Sequence, residues 1–299
     1  MLFASIDIGT NAVRLLFANV YVRNDITVAE KASLIRIPIR LGDDVFNLNR
    51  ISDTKTDDLL KTMQAFKLLI DVYHPLGFET CATAAMREAE NSAEVVERIQ
   101  NETGLNIRVI TGLEEAEIVT ASNNIAIKKR YKYKMYVDVG GGSTEISLLQ
   151  DHKIIASKSF KIGTIRYLNE KVDEHEWEKM QNWLKAFKDD FGKIYVIGSG
   201  GNINKIAKIY GRTDTNMVYL NELEDAFKHL NRYSLTERIE KLGLRPDRAD
   251  VIIPASIIFI KILQWMKGDF VHVPKIGLVD GLIYKVHGEY LRSLNQNLV

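Results

Sequence analysis

The sequence of 299 residues contains a single cysteine, Cys81, and almost no net charge. One cysteine excludes an intrachain disulfide framework and fits a reducing compartment. The chain has 40 Lys and Arg residues against 39 Asp and Glu residues, which gives a formal net charge of +1. General nucleic-acid binders usually carry a strong basic excess, so we expect no nucleic-acid partner.

Long apolar runs are also missing, because no uninterrupted run reaches the roughly 18 residues of a membrane span. The longest candidate begins at Val251, and Pro254 and Lys261 interrupt it. This composition favours a buried core helix with a proline in its first turns. No basic segment precedes the first apolar residues, so a signal peptide is not expected. We therefore predict a cytoplasmic protein without a membrane partner.

Strand-like and helix-like segments alternate along the chain, and the opening pattern occurs twice. "SIDIGTNAVRLLF" and "YVDVGGGSTEISLL" both indicate a strand, a glycine-containing turn and a second strand. Asp7 and Asp138 take the same place in the two segments, 138 − 7 = 131 positions apart. Two unrelated hairpins are the alternative, but a third strand and helices follow both segments. We predict an α/β protein with domains at residues 1–124 and 125–299.

Apolar residues at helical spacing predict several helices between these strands. Ser52 or Asp53 is a suitable capping residue for the first of them, and Gly112 opens another. The remaining predicted helices and their approximate bounds are Asp53–Tyr73, Ser92–Thr103, Glu174–Asp190 and Asn202–Tyr210.

The two turns, at Gly9–Asn11 and Gly140–Ser143, carry more small and hydroxyl residues than a hairpin requires. Converging backbone N–H groups in such turns form an anion site, and glycine lets a phosphate approach the main chain. Thr10, Ser143 and Thr144 add hydroxyl donors. The turns therefore predict two phosphate-binding loops.

Acidic residues accompany these turns and open one helix. Asp7 and Asp138 end the strands before the turns, and their hard oxygens suit Mg²⁺; the alternative is that each only hydrogen-bonds its own turn. Glu114, Glu115 and Glu117 lie in the first turns of a helix, where the macrodipole favours acids. One of the three could activate water as a general base. The residues alone do not decide which one.

Arginines beside loops of small residues are candidates to hold phosphate groups, because a guanidinium binds phosphate bidentately. For each of them an ordinary surface ion pair is the alternative. "VIGSGGN" also ends a strand in a glycine-rich turn that enters a helix, as phosphate-binding turns do. It matches neither the dinucleotide fingerprint nor the P-loop. The candidates are Arg14, Arg87, Arg166 and Arg248, with Gly200 in the glycine-rich turn.

Taken together, these motifs resemble the exopolyphosphatase / guanosine pentaphosphate phosphohydrolase (Ppx/GppA) family of the actin-like superfamily. The resemblance implies two actin-like (ribonuclease H-like) domains, each a mixed sheet flanked by helices, with a cleft between them. It also implies a metal-dependent phosphohydrolase that removes the terminal phosphate from inorganic polyphosphate, or the 5′-phosphate from guanosine pentaphosphate. The matching segments occur in family order: "IDIGTNAVRLL", "ATAAMREAEN", "TGLEEAE", "VDVGGGSTEISLL", "KIGTIRYLNE", "GSGGN" and "RADVIIPA".

The family motifs carry over onto individual residues of this sequence. Glu115, directly before Ala116, matches the general base, with Glu114 as its neighbour. Asp138 and Glu145 match acids that would hold Mg²⁺ and the nucleophilic water. The remaining matches face phosphate: Arg87, the second loop at Gly140, Gly141, Gly142 and Ser143, and the first loop at Thr10 and Asn11.

Two positions depart from the family pattern, in which arginine often follows "EEA" and "GLREGLL" stands near the C-terminus. Here Glu117 and Asp280 occupy those places. The chain also resembles the short two-domain form of the family, whose members often form homodimers. Two other functions stay open: an actin-like kinase that transfers phosphate from ATP to a small molecule, and a sensor that binds guanosine tetra- or pentaphosphate without turnover.

Overall fold

The computed structural model describes residues 1–24, 26–121, 131–150, 153–191, 193–212 and 214–296. The chain forms two compact units: the first comprises residues 1–123 and 277–299, and the second comprises residues 124–276. The sequence prediction assigned the C-terminal residues to the second domain, whereas the structure packs the final helix with the first unit. The predicted boundary between residues 124 and 125 lies outside the described residues.

The first unit is built on a mixed five-stranded sheet with the order β3-β2-β1-β4-β5. β1, β2 and β3 pair antiparallel, while β4 and β5 run parallel to β1. Its elements are β1 (Leu2–Ile8), β2 (Val13–Arg23), β3 (Ile26–Ile37), α1 (Leu41–Leu48), α2 (Asp53–Tyr73), β4 (Phe78–Ala82), α3 (Ala84–Glu88), α4 (Ser92–Thr103), β5 (Ile107–Val109) and α5 (Gly112–Ala121), followed much later by α13 (Leu278–Gln296).

Helices cover both faces of this sheet. On one face, the apolar side of α13 packs on β1 and β2, where Phe3 and Leu16 contact Val279 and Ile283. On the other face, Tyr73 at the end of α2 stacks on Phe17. Burial of these alternating strand residues is what fixes the pairing register, because a one-residue slip would turn them toward solvent.

The second unit is built on a mixed six-stranded sheet with the order β10-β11-β9-β6-β7-β8. β6, β7 and β8 pair antiparallel, and β9 runs parallel to β6. Its elements are β6 (Tyr133–Val139), β7 (Thr144–Gln150), β8 (Lys153–Phe160), α6 (Thr164–Leu168), α7 (Glu174–Phe191), β9 (Ile194–Ser199), α8 (Gly201–Tyr210), β10 (Met217–Tyr219), α9 (Leu220–Asn231), α10 (Leu235–Glu240), α11 (Pro246–Ala249), α12 (Ile252–Met266) and β11 (Phe270–His272).

The apolar segment after Val251 is the central helix of the second unit, as its composition predicted. Pro254 lies in the first turn of α12, where its missing N–H is tolerated. Phe259 and Ile262 of α12 are fully buried in the largest apolar cluster of the unit. In the described part of the chain, residues 246–266 are the one stretch apolar and long enough to cross a membrane by length and composition, and 61% of its apolar window is buried within the protein.

The repeated arrangement of strands confirms the predicted duplication. In each sheet an antiparallel run of three strands continues through its first strand into a parallel neighbour, β4 in one unit and β9 in the other. The carboxyl ends of β1 and β4, and those of β6 and β9, therefore lie side by side. These two edges carry most of the residues that the sequence singled out.

Candidate active site

Two hairpins of the same build hold the predicted phosphate loops. In the first unit, Gly9 N–H donates to the Ala12 carbonyl at 3.2 Å. In the second unit, Gly140 N–H donates to the Ser143 carbonyl at 3.0 Å. The loops thus close in the same way between β1 and β2 and between β6 and β7. The two hairpins are equivalent in backbone, so differences between them lie in their side chains.

The loop of the second unit is held from behind by the start of α6. The Gly140 carbonyl accepts from Thr164 N at 3.0 Å, and the Gly141 carbonyl accepts from Ile165 N at 2.8 Å. Gly163 must be glycine, because a Cβ there would overlap the backbone of the loop. The loop and the start of α6 are therefore in close backbone contact, and the loop carbonyls are directed toward α6.

Arg166 completes this support rather than standing open to solvent. Its side chain is buried, and Nε donates to the Gly142 carbonyl at 2.8 Å. The sequence proposed Arg166 as a phosphate contact or a surface ion pair. The structure adds a contact that neither expectation included, because the arginine holds the predicted phosphate loop by a backbone carbonyl.

Two carboxylates and a hydroxyl form a row across the second sheet beside this loop. Asp138 of β6 is the ladder partner of Glu145 on β7 and of Ser199 on β9. Residues paired in a ladder project to the same face of a sheet, so the three side chains leave it together. The Ser199 Oγ is buried and has no hydrogen-bond partner in the structure. These three side chains form a polar row at the end of one sheet face, and Tyr136 and Ile197 are apolar residues farther along that face.

Glu145 is oriented by two hydroxyl groups. Its side chain is buried, and Oε1 accepts from Ser143 Oγ at 2.6 Å and from Ser159 Oγ at 2.8 Å. Ser143 belongs to the predicted phosphate loop and Ser159 to β8, so the loop and one neighbouring strand fix the carboxylate. Like charges that face each other in a ladder are unfavourable, so a cation beside Asp138 and Glu145 would stabilise the pair.

This row has the donor chemistry that a magnesium ion requires. Among the residues that the structure describes, no group of three or more His, Cys, Asp or Glu side chains could hold a metal ion. Mg²⁺ typically takes one or two carboxylates from a protein and completes its shell with water and substrate phosphates. Asp138 and Glu145 have that number of carboxylates beside the predicted phosphate loop, so the residues fit such an ion.

Gly200 lies at the same edge of the sheet. It has a φ of 112°, and a Cβ at this position would come within 3.4 Å of Asp138 Oδ1. The next residue, Gly201, accepts from Arg248 Nη1 through its carbonyl at 3.1 Å. The glycine-rich turn before α8 is therefore adjacent to Asp138 and is also bound by Arg248.

The first hairpin differs in charge from the second. Arg14 takes the place in β2 that Glu145 takes in β7, and Arg14 Nη1 donates to the buried Asp7 carboxylate, which it faces in the ladder. Burial raises the pKa of Asp7, and the Arg14 guanidinium opposes that shift. Asp7 is therefore already paired with a cation of the protein, Arg14. The charge of a metal-binding carboxylate is balanced by the metal ion instead.

The first phosphate loop is braced by the start of α1. The Thr10 carbonyl accepts from Gly42 N at 3.0 Å, and the Asn11 carbonyl accepts from Arg40 N at 3.1 Å. The sequence did not predict α1, since its eight residues are too short to show a helical period. This helix nevertheless fixes the loop in the way that α6 fixes its counterpart.

Glu115 lies in the first turn of α5, after the carboxyl end of β5, and its side chain is only 11% exposed. Arg87, in α3 just beyond the end of β4, donates from Nη1 to the Ile110 carbonyl at 2.7 Å. The same nitrogen is 4.0 Å from Glu115 Oε2. Two of the predicted residues are thereby brought together in the first unit, with an arginine cation beside a buried carboxylate.

The two departures from the family pattern also have a place in the structure. Glu117 is exposed on α5. Asp280, in the first turn of α13, accepts from Gly277 N at 2.9 Å and pairs with Lys31 of β3 at 2.8 Å. An acid at this position stabilises the start of the helix through both the free N–H group and the macrodipole.

Sequence reasoning missed two sets of residues. Ser159 stands in a strand whose residues alternate between the two sheet faces. The only sign in the sequence that Ser159 could reach Glu145 was the face of β8 on which it lies. Arg108 and Glu79 form an ion pair at 2.6 Å between β5 and β4, and nothing in their spacing predicted it, because the two strands are joined in space and not in sequence.

Comparisons with known proteins identify the family of the chain. The model of the Ppx/GppA phosphatase family matches residues 31–289. A bifunctional 3-dehydroquinate synthase/phosphatase of Fusobacterium nucleatum is 30% identical over 94% of this chain, and the match spans 46% of that protein, less than half its length. Exopolyphosphatase 1 of Mycobacterium tuberculosis is 22% identical over 94% of the chain and 86% of that protein.

Solved structures show the same fold over nearly the whole chain. An exopolyphosphatase from Cytophaga hutchinsonii has a TM-score of 0.81 at 21% identity and covers 95% of this chain and 97% of its own. A Ppx/GppA member from Aquifex aeolicus has a TM-score of 0.73 at 25% identity and covers 99% of both chains. The likeness confirms the predicted α/β fold class with two actin-like domains.

Proposed function

Because the chain belongs to the Ppx/GppA phosphatase family, we propose that it is a metal-dependent phosphohydrolase that releases the terminal phosphate of inorganic polyphosphate. The observation that carries the proposal is the pair of carboxylates, Asp138 and Glu145, beside the glycine loop of the second unit. Phosphoanhydride hydrolysis needs groups that bind anionic oxygens and groups that activate water. The described residues include candidates for both.

We assign phosphate binding to the glycine loops. In the second unit the carbonyls of Gly140 and Gly141 are directed toward α6, so the loop has a fixed shape when substrate arrives. Its N–H groups would bind phosphoryl oxygens, and Ser143, whose hydroxyl donates to Glu145, would contribute through its backbone N–H. Thr10 and Asn11 would contribute in the first unit.

We assign the divalent cation, Mg²⁺, to Asp138 and Glu145. When bound, the ion would neutralise charge on the phosphoryl oxygens and favour departure of the shortened chain. Ser143 and Ser159 hold the Glu145 carboxylate in one orientation. Asp7 stays a predicted ligand, although its pairing with Arg14 favours a structural role.

We assign the general base to Glu115. Its carboxylate would accept a proton from the water that attacks the terminal phosphorus, while the bond to the bridging oxygen breaks. The products are orthophosphate and a chain shortened by one phosphate. Arg87, 4.0 Å from Glu115, would bind the anionic substrate next to the base.

A relative named exopolyphosphatase 1 aligns with 94% of this chain, which supports polyphosphate as the substrate. The test is a phosphate-release panel with Mg²⁺ on long-chain polyphosphate, tripolyphosphate, guanosine pentaphosphate and ATP, each with an EDTA control. We expect release from polyphosphate that EDTA abolishes. Release from guanosine pentaphosphate alone would identify that compound, and not polyphosphate, as the substrate. Release from none of the four would contradict the assignment as a phosphohydrolase.

A further inference from the structure

Four side chains of alternating charge form a network through the first unit. Arg108 of β5 donates from Nη1 to the carboxylate of Glu114 on α5. It also donates from Nη2 and Nε to Glu79 Oε1 of β4, at 2.6 and 2.9 Å. Lys285 of α13 donates to both oxygens of Glu79, at 2.6 and 2.9 Å. Two strands and two helices are thus connected by these four charges.

The centre of this network is well enclosed. The Glu79 side chain is 15% exposed, whereas Arg108 and Lys285 are 38% and 32% exposed. Burial by itself would raise the pKa of Glu79, but hydrogen bonds from Lys285 and Arg108 hold it below the usual value. A charge-assisted network with an enclosed centre has a fixed geometry, unlike a single ion pair in solvent.

The Arg108–Glu114 contact spans the turn between β5 and α5. On the helix side of that turn, Thr111 Oγ1 accepts from Glu114 N at 3.2 Å and the Thr111 carbonyl accepts from Glu115 N at 3.0 Å. Glu114 is therefore fixed at both its backbone and its side chain. Because a helix is rigid over one turn, fixing Glu114 also sets the direction in which Glu115 leaves the helix.

Arg87 acts on the same turn. It donates to the Ile110 carbonyl, between Arg108 and Thr111. Its distance of 4.0 Å from Glu115 depends on where that turn lies. The geometry of the Arg87–Glu115 pair therefore depends on the contact that Arg108 makes with Glu114.

We propose that Arg108 is a positioning residue for the general base: it holds Glu114, and through the first turn of α5 it sets the position of Glu115. The inference rests on the proposed function, which assigns the base to Glu115. Loss of Arg108 would lower kcat while leaving KM almost unchanged, because substrate binding is assigned to other residues.

The test is a double-mutant cycle of Arg108→Met, Glu114→Gln and the combined variant, assayed on whichever substrate the wild type hydrolyses. We expect kcat to fall at least about 10-fold in Arg108→Met, as small displacements of catalytic groups cost this much or more. KM should stay within about 2-fold. The combined variant should match the more impaired single variant, because both changes remove the same contact.

Arg98→Met is the matched control, since Arg98 also joins two acids, Asp57 and Glu102, but on the exposed surface of α4. It should keep kcat within about 2-fold of wild type, because exposed ion pairs contribute little. Arg108→Lys should recover part of the lost kcat, since lysine keeps the charge but not the two-sided fork.

Hydrogen–deuterium exchange measures the same contact without any substrate. Exchange at residues 110–118 should rise in Arg108→Met and stay unchanged in Arg98→Met. Unchanged exchange there, additive losses of kcat in the cycle, or a fall in thermal stability with unaltered kcat would each overturn the proposal. An inactive wild type would contradict the proposed function instead, and the exchange result would still decide whether Arg108 holds the turn.

Discussion

Arg14 and Glu145 occupy the same place in two hairpins that share one backbone design. In the first hairpin the residue opposite the aspartate is its counter-ion, and in the second it is another acid. A single exchange of charge thus separates a hairpin with an acid–base pair at this position from one with two acids. The two units share one hairpin backbone, and the residue opposite the aspartate determines the charge at this position.

The metal assignment predicts an asymmetry between the two aspartates. Asp138→Asn should raise the Mg²⁺ concentration for half-maximal activity by at least about 10-fold, because it removes one of two carboxylate ligands. Asp7→Asn should raise it much less, because Asp7 pairs with Arg14. Magnesium titrations of phosphate release compare the two, with calorimetric Mn²⁺ binding as a readout free of turnover. Equal effects would contradict a site confined to the second hairpin.

The sequence could predict candidate loops and acids because they form contiguous motifs whose residue types indicate a chemistry. It could not identify the neighbours that orient them. Arg166 was predicted to contact phosphate, but its hydrogen bond to the Gly142 carbonyl was not predicted. Ser159, which binds Glu145, comes from another strand. Such contacts depend on strand pairing, which one sequence does not reveal.

The crossing of α13 over α5 depends on Gly281. A Cβ at this position would overlap the Ile118 carbonyl of α5, so the two helices would have to separate. Gly281→Ala should lower the free energy of unfolding by about 1–3 kcal/mol, the usual range for overpacking. Gly288→Ala on the same helix is the control, because its Cβ would meet only Arg292 at 4.0 Å. That variant should gain up to about 1 kcal/mol from helix propensity. Urea denaturation measures both, and equal effects would contradict a close crossing.

The network around Glu79 predicts a pH-dependent contribution to stability. The pKa of Glu79 lies below its ordinary value of 4.5 in the folded state, so the ionised form is favoured by folding. Its contribution is therefore complete above that ordinary value and is lost as the pH falls through the folded pKa. Glu79→Gln should destabilise the protein by about 2 kcal/mol at pH 7, the scale of hydrogen bonds to a charged group.

The difference between wild type and Glu79→Gln should shrink in urea titrations below pH 4.5. Glu102→Gln provides the comparison, since its partner Arg98 is exposed and the pair contributes little at any pH. A difference that stayed constant down to low pH would show that Glu79 stabilises the fold only by packing.

At the scale of elements, long periodic segments were predictable and short ones were not. The predicted helix Asp53–Tyr73 agrees with α2, and Ser52 caps it by accepting from Lys55 N at 3.3 Å. Ser92–Thr103 agrees with α4. In contrast, α1 and the three-residue β10 are too short for a periodic pattern, and tertiary contacts define them.

The whole molecule consists of two units, and the C-terminal helix belongs to the first. Val279 and Ile283 of α13 pack on Phe3 and Leu16, residues almost as far away in sequence as the chain allows. Hydrophobic periodicity predicts a helix but not the sheet that it covers. For this reason the predicted domain of residues 125–299 included α13, which packs in the first unit.

The two units carry separate natural probes. Cys81 lies buried in the first unit, where burial raises its pKa to about 12, and the three tryptophans, Trp177, Trp183 and Trp265, lie in the second. Each unit has its own core, so we expect tryptophan fluorescence and Cys81 labelling to give different urea midpoints. Gly281→Ala should move the labelling midpoint and not the fluorescence midpoint. Coincident midpoints that shift together would show a single cooperative unit.

The most direct test of the account compares two glutamates of one helix in their effect on polyphosphate hydrolysis. Glu115 is 11% exposed and lies beside Arg87, whereas Glu117 is exposed. With Mg²⁺ present, Glu115→Gln should lower kcat at least about 10²-fold, the scale of losing a general base, with KM little changed, and Glu117→Gln should match wild type. Near-wild-type phosphate release by Glu115→Gln would contradict the assignment of the base.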